Sequence, residues 1–84
     1  IISCKALNKE HGFMESTEEE AMIKKNMLKH AKKIILLADH HKFDKIAFTR
    51  IGYLEEIDTL ITDQRPNQEW CNLLQEKNIQ LIYE

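Results

Sequence analysis

An apolar run that ends directly in charged residues is the feature that most constrains this chain. Residues 34–38 are all apolar, and Asp39 and Lys42 follow them closely. The run is too short to span a membrane and too continuous for a half-exposed strand. It therefore predicts a strand that is buried on both faces, as in the middle of a parallel sheet.

Further apolar segments alternate with amphipathic ones along the chain, which favours an α/β fold. Strands are predicted at residues 1–5, 34–38, 46–51, 59–62 and 79–83, and a polar loop at residues 8–15. One helical turn is predicted near residues 54–57. Strands that alternate with helices predict right-handed crossovers and a three-layer arrangement around a mainly parallel sheet.

Two segments carry helix signals. The first starts where Ser16 with Glu19, or Thr17 with Glu20, can form a capping box. Its buried face is predicted from apolar residues at helical spacing, which are Ile23, Met27, Ala31 and Ile34. The second helix is predicted at residues 67–77, with an inner face of Trp70, Cys71, Leu73 and Leu74, and Asn78 follows as a left-handed capping residue.

Length and composition allow one small domain. The chain has 84 residues and a net charge of −2, and a negative balance argues against direct nucleic-acid binding. Cys4 and Cys71 form no disulfide framework, so a cytoplasmic location is expected. Neither a signal peptide nor a membrane span is predicted. The apolar residues at the very start suggest a cut through a larger domain.

Polar residues end three of the predicted strands, and in a parallel sheet these ends meet at one rim, where open α/β sheets bind ligands. Asp39 and Lys42 are the first candidates, because a carboxylate accepts from sugar hydroxyls and an ammonium group donates to phosphate. The alternative is that Asp39 only caps a short turn while Lys42 is solvated. Asp63 could line the rim or begin the turn into Arg65 and Pro66, and the turn is the favoured interpretation.

Three blocks of this sequence resemble the DeoR family of bacterial sugar-operon regulators. The segment LLADHHKF at residues 36–43 is similar to the family's L-L-A-D-x-S-K-F. Glu20, Ala21, Lys24 and Met27 match the family's E-A-x-x-K-x-x-M, and residues 57–63 read IDTLITD, nearly as in the family. The blocks occur in family order, and His41 departs from the usual Ser.

The resemblance implies the C-terminal part of a sensor domain, spanning residues 1–84, with a Rossmann-like fold similar to ribose-phosphate isomerases and CoA transferases. It implies a phosphorylated sugar as effector, held by Asp39, Lys42 and Lys24, with His41 at the same rim. The family's Gly-Gly-Thr phosphate loop and winged helix-turn-helix are not in this sequence. DNA would be bound only through that absent domain, and self-association as a dimer or tetramer is expected.

Two other functions remain open. A fragment of a sugar-phosphate isomerase-like enzyme would use the same rim, but no second acid–base partner for Asp39 stands at a reliable spacing. A pure oligomerisation module would leave the rim empty. His40 and His41 are adjacent and do not converge, and His11, His30 and the cysteines lack ligand spacing, so neither a metal nor a cofactor is expected.

Overall fold

The computed structural model describes all residues from 1 to 84. Seven strands and two helices follow one another as β1 Ile2–Ser3, β2 Ala6–Asn8, β3 Gly12–Glu15, α1 Glu18–His30, β4 Ile35–Leu37, β5 Thr49–Gly52, β6 Thr59–Ile61, α2 Gln68–Glu76 and β7 Gln80–Ile82. Short 3-10 turns follow β4 at His40–Lys42 and β5 at Leu54–Glu56.

A parallel sheet organises the molecule. Its strands lie in the order β1-β4-β6-β7, and every neighbouring pair is parallel. One row of side chains across this sheet points into the core, where Ile2, Leu36 and Leu60 are buried and Leu81 packs against them. The predicted α/β class with a mainly parallel sheet is thereby confirmed.

The opposite face of the parallel sheet is largely uncovered. The next row across the sheet contains Leu37, Ile61 and Ile82, of which Leu37 is 46% and Ile82 43% exposed. The prediction that residues 34–38 form a strand buried on both faces is therefore wrong for Leu37. A continuous apolar sequence indicates that both faces of a strand tend to be buried. In these 84 residues only one face of the parallel sheet is covered.

A second, antiparallel sheet was not predicted. Its strands lie in the order β2-β3-β5, and β2 and β3 form a hairpin in the region interpreted as a polar loop. Gly12 opens β3 with a φ of 81°, and a Cβ atom there would collide with the carbonyl oxygen of Gly52. The strand predicted at residues 46–51 is shifted to Thr49–Gly52, and Ile46 and Phe48 are each 73% exposed.

Helix α1 starts as predicted but buries a different face. The Thr17 hydroxyl accepts from the Glu20 amide at 3.2 Å, so Thr17 is the capping residue. Ile23 and Met27 are 64% and 49% exposed, whereas Ala21 is fully buried. The helix packs on β3 and β5, and the small side chain of Ala21 allows a close approach that the larger apolar residues would prevent.

Helix α2 completes the core as its amphipathic pattern predicts. The Asn67 side chain accepts from the Trp70 amide at 2.9 Å, and Trp70 and Leu74 are buried. The Trp70 indole donates to Asp44 Oδ1 at 3.0 Å and contacts the Phe43 ring edge-on. Asn78 has a φ of 59°, in agreement with the predicted left-handed cap. Neither helix has the length and apolar character that crossing a membrane would require.

Candidate functional site

The carboxyl ends of β4 and β6 form the candidate site. Parallel strands end at the same edge of a sheet, and β4 and β6 are direct neighbours. A hollow of about 260 Å³ lies there, and it is lined by Leu37, Ala38, Asp39, Ile61, Thr62 and Asp63. Its lining is thus apolar on the sheet side and carries two carboxylates at the rim.

Asp39 holds the turn that follows β4. Its Oδ1 atom accepts from the His41 amide at 2.9 Å, which caps the 3-10 turn His40–Lys42. Buried apolar residues end at Ala38, so the chain turns where the sequence becomes polar. The capping role proposed as an alternative is present, and 47% of the Asp39 side chain is still exposed for other partners.

Lys42 ends the same turn and keeps its ammonium group unpaired. Its amide donates to the Asp39 carbonyl at 3.0 Å, but its side chain takes part in none of the ion pairs of the molecule. Burial raises the pKa of the Cys4 thiol to about 11, against the opposing positive charges of Lys24 and Lys42. Of the two lysines, Lys24 contacts the Ser3 carbonyl at the end of β1, and Lys42 ends the turn that follows β4.

Lys24 lies near this rim but is already engaged. Its Nζ atom donates to the Ser3 carbonyl at 2.8 Å and to Glu15 Oε2 at 2.5 Å. Burial pushes the pKa of Glu15 upward, but hydrogen bonds from Lys24 and from the Ser16 amide outweigh it and hold the pKa below its usual value. Lys24 is thus held by the fold beside the rim, with 18% of its side chain exposed. Glu15 was not predicted, because it falls in the segment interpreted as a loop.

His41 is the most exposed of the candidate residues. Its side chain is 77% exposed, and its Nδ1 atom lies 3.5 Å from Asp39 Oδ1. The rings of His40 and His41 stand 3.9 Å apart between centroids. No group of three or more His, Cys, Asp or Glu side chains is arranged to hold a metal ion.

Asp63 lines the hollow at the rim, the alternative that the sequence interpretation placed second to a turn. Its Oδ1 atom accepts from the His40 amide at 2.8 Å, and its Oδ2 atom lies 2.7 Å from His40 Nδ1. The hydrogen bond with the His40 side chain is the main reason that the pKa of Asp63 lies below its usual value. The available signal in the sequence was that Asp63 directly follows a predicted parallel strand, as Asp39 does.

Together these groups offer acceptors, one unpaired ammonium and an open hollow at the carboxyl ends of parallel strands. This is the position in which open α/β sheets bind ligands, so the fold and the rim are those of an α/β domain with a candidate ligand site at the edge of its parallel sheet. The chain belongs to the DeoR C-terminal sensor domain family, whose model matches residues 1–64. The family expected from the three sequence blocks is thereby confirmed.

Several transcription regulators are similar to this chain. The HTH-type transcriptional repressor GlcR of Bacillus subtilis (strain 168) is 44% identical over 73 residues, which cover 87% of this chain and 28% of GlcR. The HTH-type transcriptional repressor CsqR of Escherichia coli (strain K12) is 33% identical over 82 residues, covering 98% of this chain and 31% of CsqR.

The deoxyribose operon repressor of Escherichia coli (strain K12) is 34% identical over 65 residues, covering 77% of this chain and 26% of that repressor. The chain thus spans less than a third of the length of these relatives. All three are named as repressors, and none is named as an enzyme.

Proposed function

We propose that this chain is the effector-sensing part of a transcription repressor of a sugar-utilisation operon, and that a phosphorylated sugar binds at the rim. The observation that carries the proposal is that one short turn presents both a half-exposed carboxylate, Asp39, and an ammonium group without an ionic partner, Lys42. The similarity to DeoR-type repressors supports the regulatory role.

The chemistry of the carboxylate and of the ammonium group gives them different roles in binding. Lys42 donates to the phosphate as a compact point charge, and Asp39 accepts from sugar hydroxyls. His41, with its exposed ring, adds a donor beside the phosphate. Lys24 contributes positive charge from its place beside Glu15, and direct contact with the effector requires that it leave one of its present partners.

Regulation requires a second part of the protein. In this proposal residues 1–84 are the C-terminal portion of a sensor domain, DNA is bound by a separate helix-turn-helix domain, and the protein acts as an oligomer in the cytoplasm. The effector changes DNA affinity only by the amount by which it binds the two states of the repressor differently.

A thermal-shift titration of the intact protein that contains this chain tests the proposal. Glucose 6-phosphate and 2-deoxyribose 5-phosphate serve as hexose and pentose probes, with the free sugars and inorganic phosphate as controls. A ligand that binds only the native state raises the melting temperature as its concentration passes its Kd. We expect a shift with at least one sugar phosphate and none with the matching free sugar.

Variants then assign the shift to the rim. Lys42→Met removes the proposed phosphate contact, whereas Lys45→Met removes a nearby exposed lysine and is the matched control. Loss of one charge-assisted hydrogen bond weakens binding by about tenfold to a hundredfold. Equal responses in both variants contradict the assignment, and turnover of either sugar phosphate by the wild-type protein supports the isomerase-like alternative instead.

A further inference from the structure

Asp63 joins the ends of two neighbouring strands through a single histidine. Its two carboxylate oxygens accept from the backbone amide of His40 at 2.8 Å and face Nδ1 of the same residue at 2.7 Å. Asp63 directly follows Thr62 after β6, while His40 opens the turn after β4. The contact therefore fixes the turn relative to the adjacent strand.

Asp63 attaches the start of the turn, whereas the residues directly after the turn are attached to β2 by the Leu7–Phe43 bridge and the bond from the Asp44 amide to the Leu7 carbonyl at 2.7 Å. The turn is a 3-10 turn of three residues, and its first two backbone amides donate to the two carboxylates that flank the hollow. The His40 amide donates to Asp63, and the His41 amide donates to Asp39. A turn this short has too few internal hydrogen bonds to define its own position. Without Asp63, His40 keeps no hydrogen bond to the neighbouring strand, and the start of the turn retains the Asp39 cap and the link from the Lys42 amide to the Asp39 carbonyl, which both lie within the turn itself.

We infer that Asp63, acting through His40, is a positioning residue of the sensing site, which holds the turn from Asp39 to Lys42 in the conformation that binds the effector. The inference rests on the proposed function, because Asp63 lines the hollow of that site while both of its carboxylate oxygens are already engaged by His40. A preordered loop binds more tightly than a mobile one, because less conformational entropy is lost on binding.

The contact lies at the surface, and its two hydrogen bonds define its geometry. The Asp63 side chain is 46% exposed and that of His40 is 40% exposed. The hydrogen bond from His40 favours the ionised form of Asp63 and lowers its pKa, so the carboxylate is charged at neutral pH. A charged acceptor makes a stronger hydrogen bond to a backbone amide than a neutral one.

Two substitutions separate positioning from charge. Asp63→Ala removes both contacts, whereas Asp63→Asn keeps an oxygen that accepts from the His40 amide and a nitrogen that can donate to neutral His40. Glu55→Ala is the control, because Glu55 is also an exposed carboxylate with a lowered pKa, and its partner Lys77 lies outside the turn.

Hydrogen exchange of the intact, ligand-free protein is the first measurement. We expect the amides of His40 and His41 to exchange about tenfold faster in Asp63→Ala, and within about threefold of wild type in Asp63→Asn and Glu55→Ala. Unchanged exchange at His40 and His41 in Asp63→Ala overturns the inference whether or not any effector binds.

The affinity for glucose 6-phosphate and 2-deoxyribose 5-phosphate is the second measurement. For the probe that binds wild type, we expect the Kd to rise about tenfold in Asp63→Ala and less than about threefold in Asp63→Asn, with an unchanged ligand-free melting temperature in both. An Asp63→Asn variant as weak as Asp63→Ala contradicts a positioning role. Absence of any response in wild type rejects the proposed function instead, and the exchange result then still decides whether Asp63 orders the turn.

Discussion

Lys24 on α1 and Glu15 at the end of β3 form a buried ion pair, with 2.5 Å between Nζ and Oε2. The Glu15 side chain has no exposed surface, and that of Lys24 is 18% exposed. The same ammonium group donates to the Ser3 carbonyl at the end of β1. A single lysine thus joins the helix to both sheets, which makes it a structural residue as well as a neighbour of the rim.

Replacing Lys24 by Met is expected to destabilise the protein strongly. It leaves the Glu15 carboxylate buried without its ionic partner, and breaking a buried pair in this way costs about 3–5 kcal/mol. Urea unfolding at neutral pH measures the loss. Adding Glu15→Gln should recover most of it, because an amide is cheaper to bury than an unpaired charge. A Lys24→Met variant with wild-type stability shows that the pair does not support the fold.

The stability of the wild-type protein should fall in acid because of the same pair. The folded-state pKa of Glu15 lies below its ordinary value of 4.5, so the unfolded state takes up the proton first. The stabilisation is complete above 4.5 and is lost as the pH falls through the lower, folded-state pKa.

In Lys24→Met the pH dependence should reverse. Burial without the cation raises the pKa of Glu15, so the folded state binds the proton more readily and stability increases as the pH is lowered from neutral. Urea midpoints measured across this range distinguish the two slopes. Parallel curves for wild type and Lys24→Met exclude Glu15 as the titrating group.

Asp39 is expected to serve both the fold and the effector, and two substitutions separate these roles. Asp39→Asn keeps an oxygen that accepts from the His41 amide, whereas Asp39→Ala removes the cap and costs about 0.5–2 kcal/mol. Both substitutions should weaken binding of the sugar phosphate by about tenfold or more. Only Asp39→Ala should also lower the ligand-free melting temperature. Wild-type affinity in Asp39→Asn rules out a role for its charge in binding.

The uncovered face of the parallel sheet predicts self-association of the isolated chain. Leu37, Ile61 and Ile82 form an apolar row across three strands, and such surfaces recruit partners. Sedimentation at tens of micromolar should show a dimer or larger species, and Leu37→Lys should shift it towards monomer. Ile46→Lys, at an exposed residue outside the sheets, is the control. A monodisperse wild-type monomer contradicts the prediction.

Residues 1–84 alone should not bind operator DNA. Their net charge is −2, and DNA affinity depends on neutralising phosphates with a basic surface. A gel shift at physiological salt, with the intact protein as positive control, measures this. Binding by the isolated chain that disappears as the salt concentration is raised demonstrates a basic surface that the net charge conceals.

The parallel sheet could be predicted because each of its strands is a short apolar run with polar ends, and residues 34–38 and 59–62 show this clearly. The hairpin of β2 and β3 could not, because Asn8 and Glu15 look like loop residues. Both are buried with their polar groups satisfied, Asn8 by the Lys45 carbonyl at 2.8 Å and Glu15 by Lys24. The partner of Asn8 lies 37 residues away and that of Glu15 lies 9 residues away on the next helix, so no pattern within either strand indicates them.

The buried face of α1 shows a second limit of prediction from the sequence. Ile23 and Met27 have the spacing of a core face, yet the helix packs through Ala21. Helical periodicity indicates which residues share a face, but which face is covered depends on the surfaces available for packing. The turn of Asp39 and Lys42 follows β4 as expected, whereas the contact between Asp63 and His40 was not predicted because a contact between two strand ends depends on their order in the sheet.

Leu37 and Ile61 belong to the uncovered face and also line the hollow beside Asp39 and Asp63. Any protein surface that packs against these two side chains therefore becomes one wall of the hollow. A molecule bound in the hollow and a surface bound to the sheet then contact each other, and their binding free energies are coupled. Such coupling is reciprocal, so occupancy of the hollow alters the strength of assembly by the same factor as assembly alters affinity in the hollow.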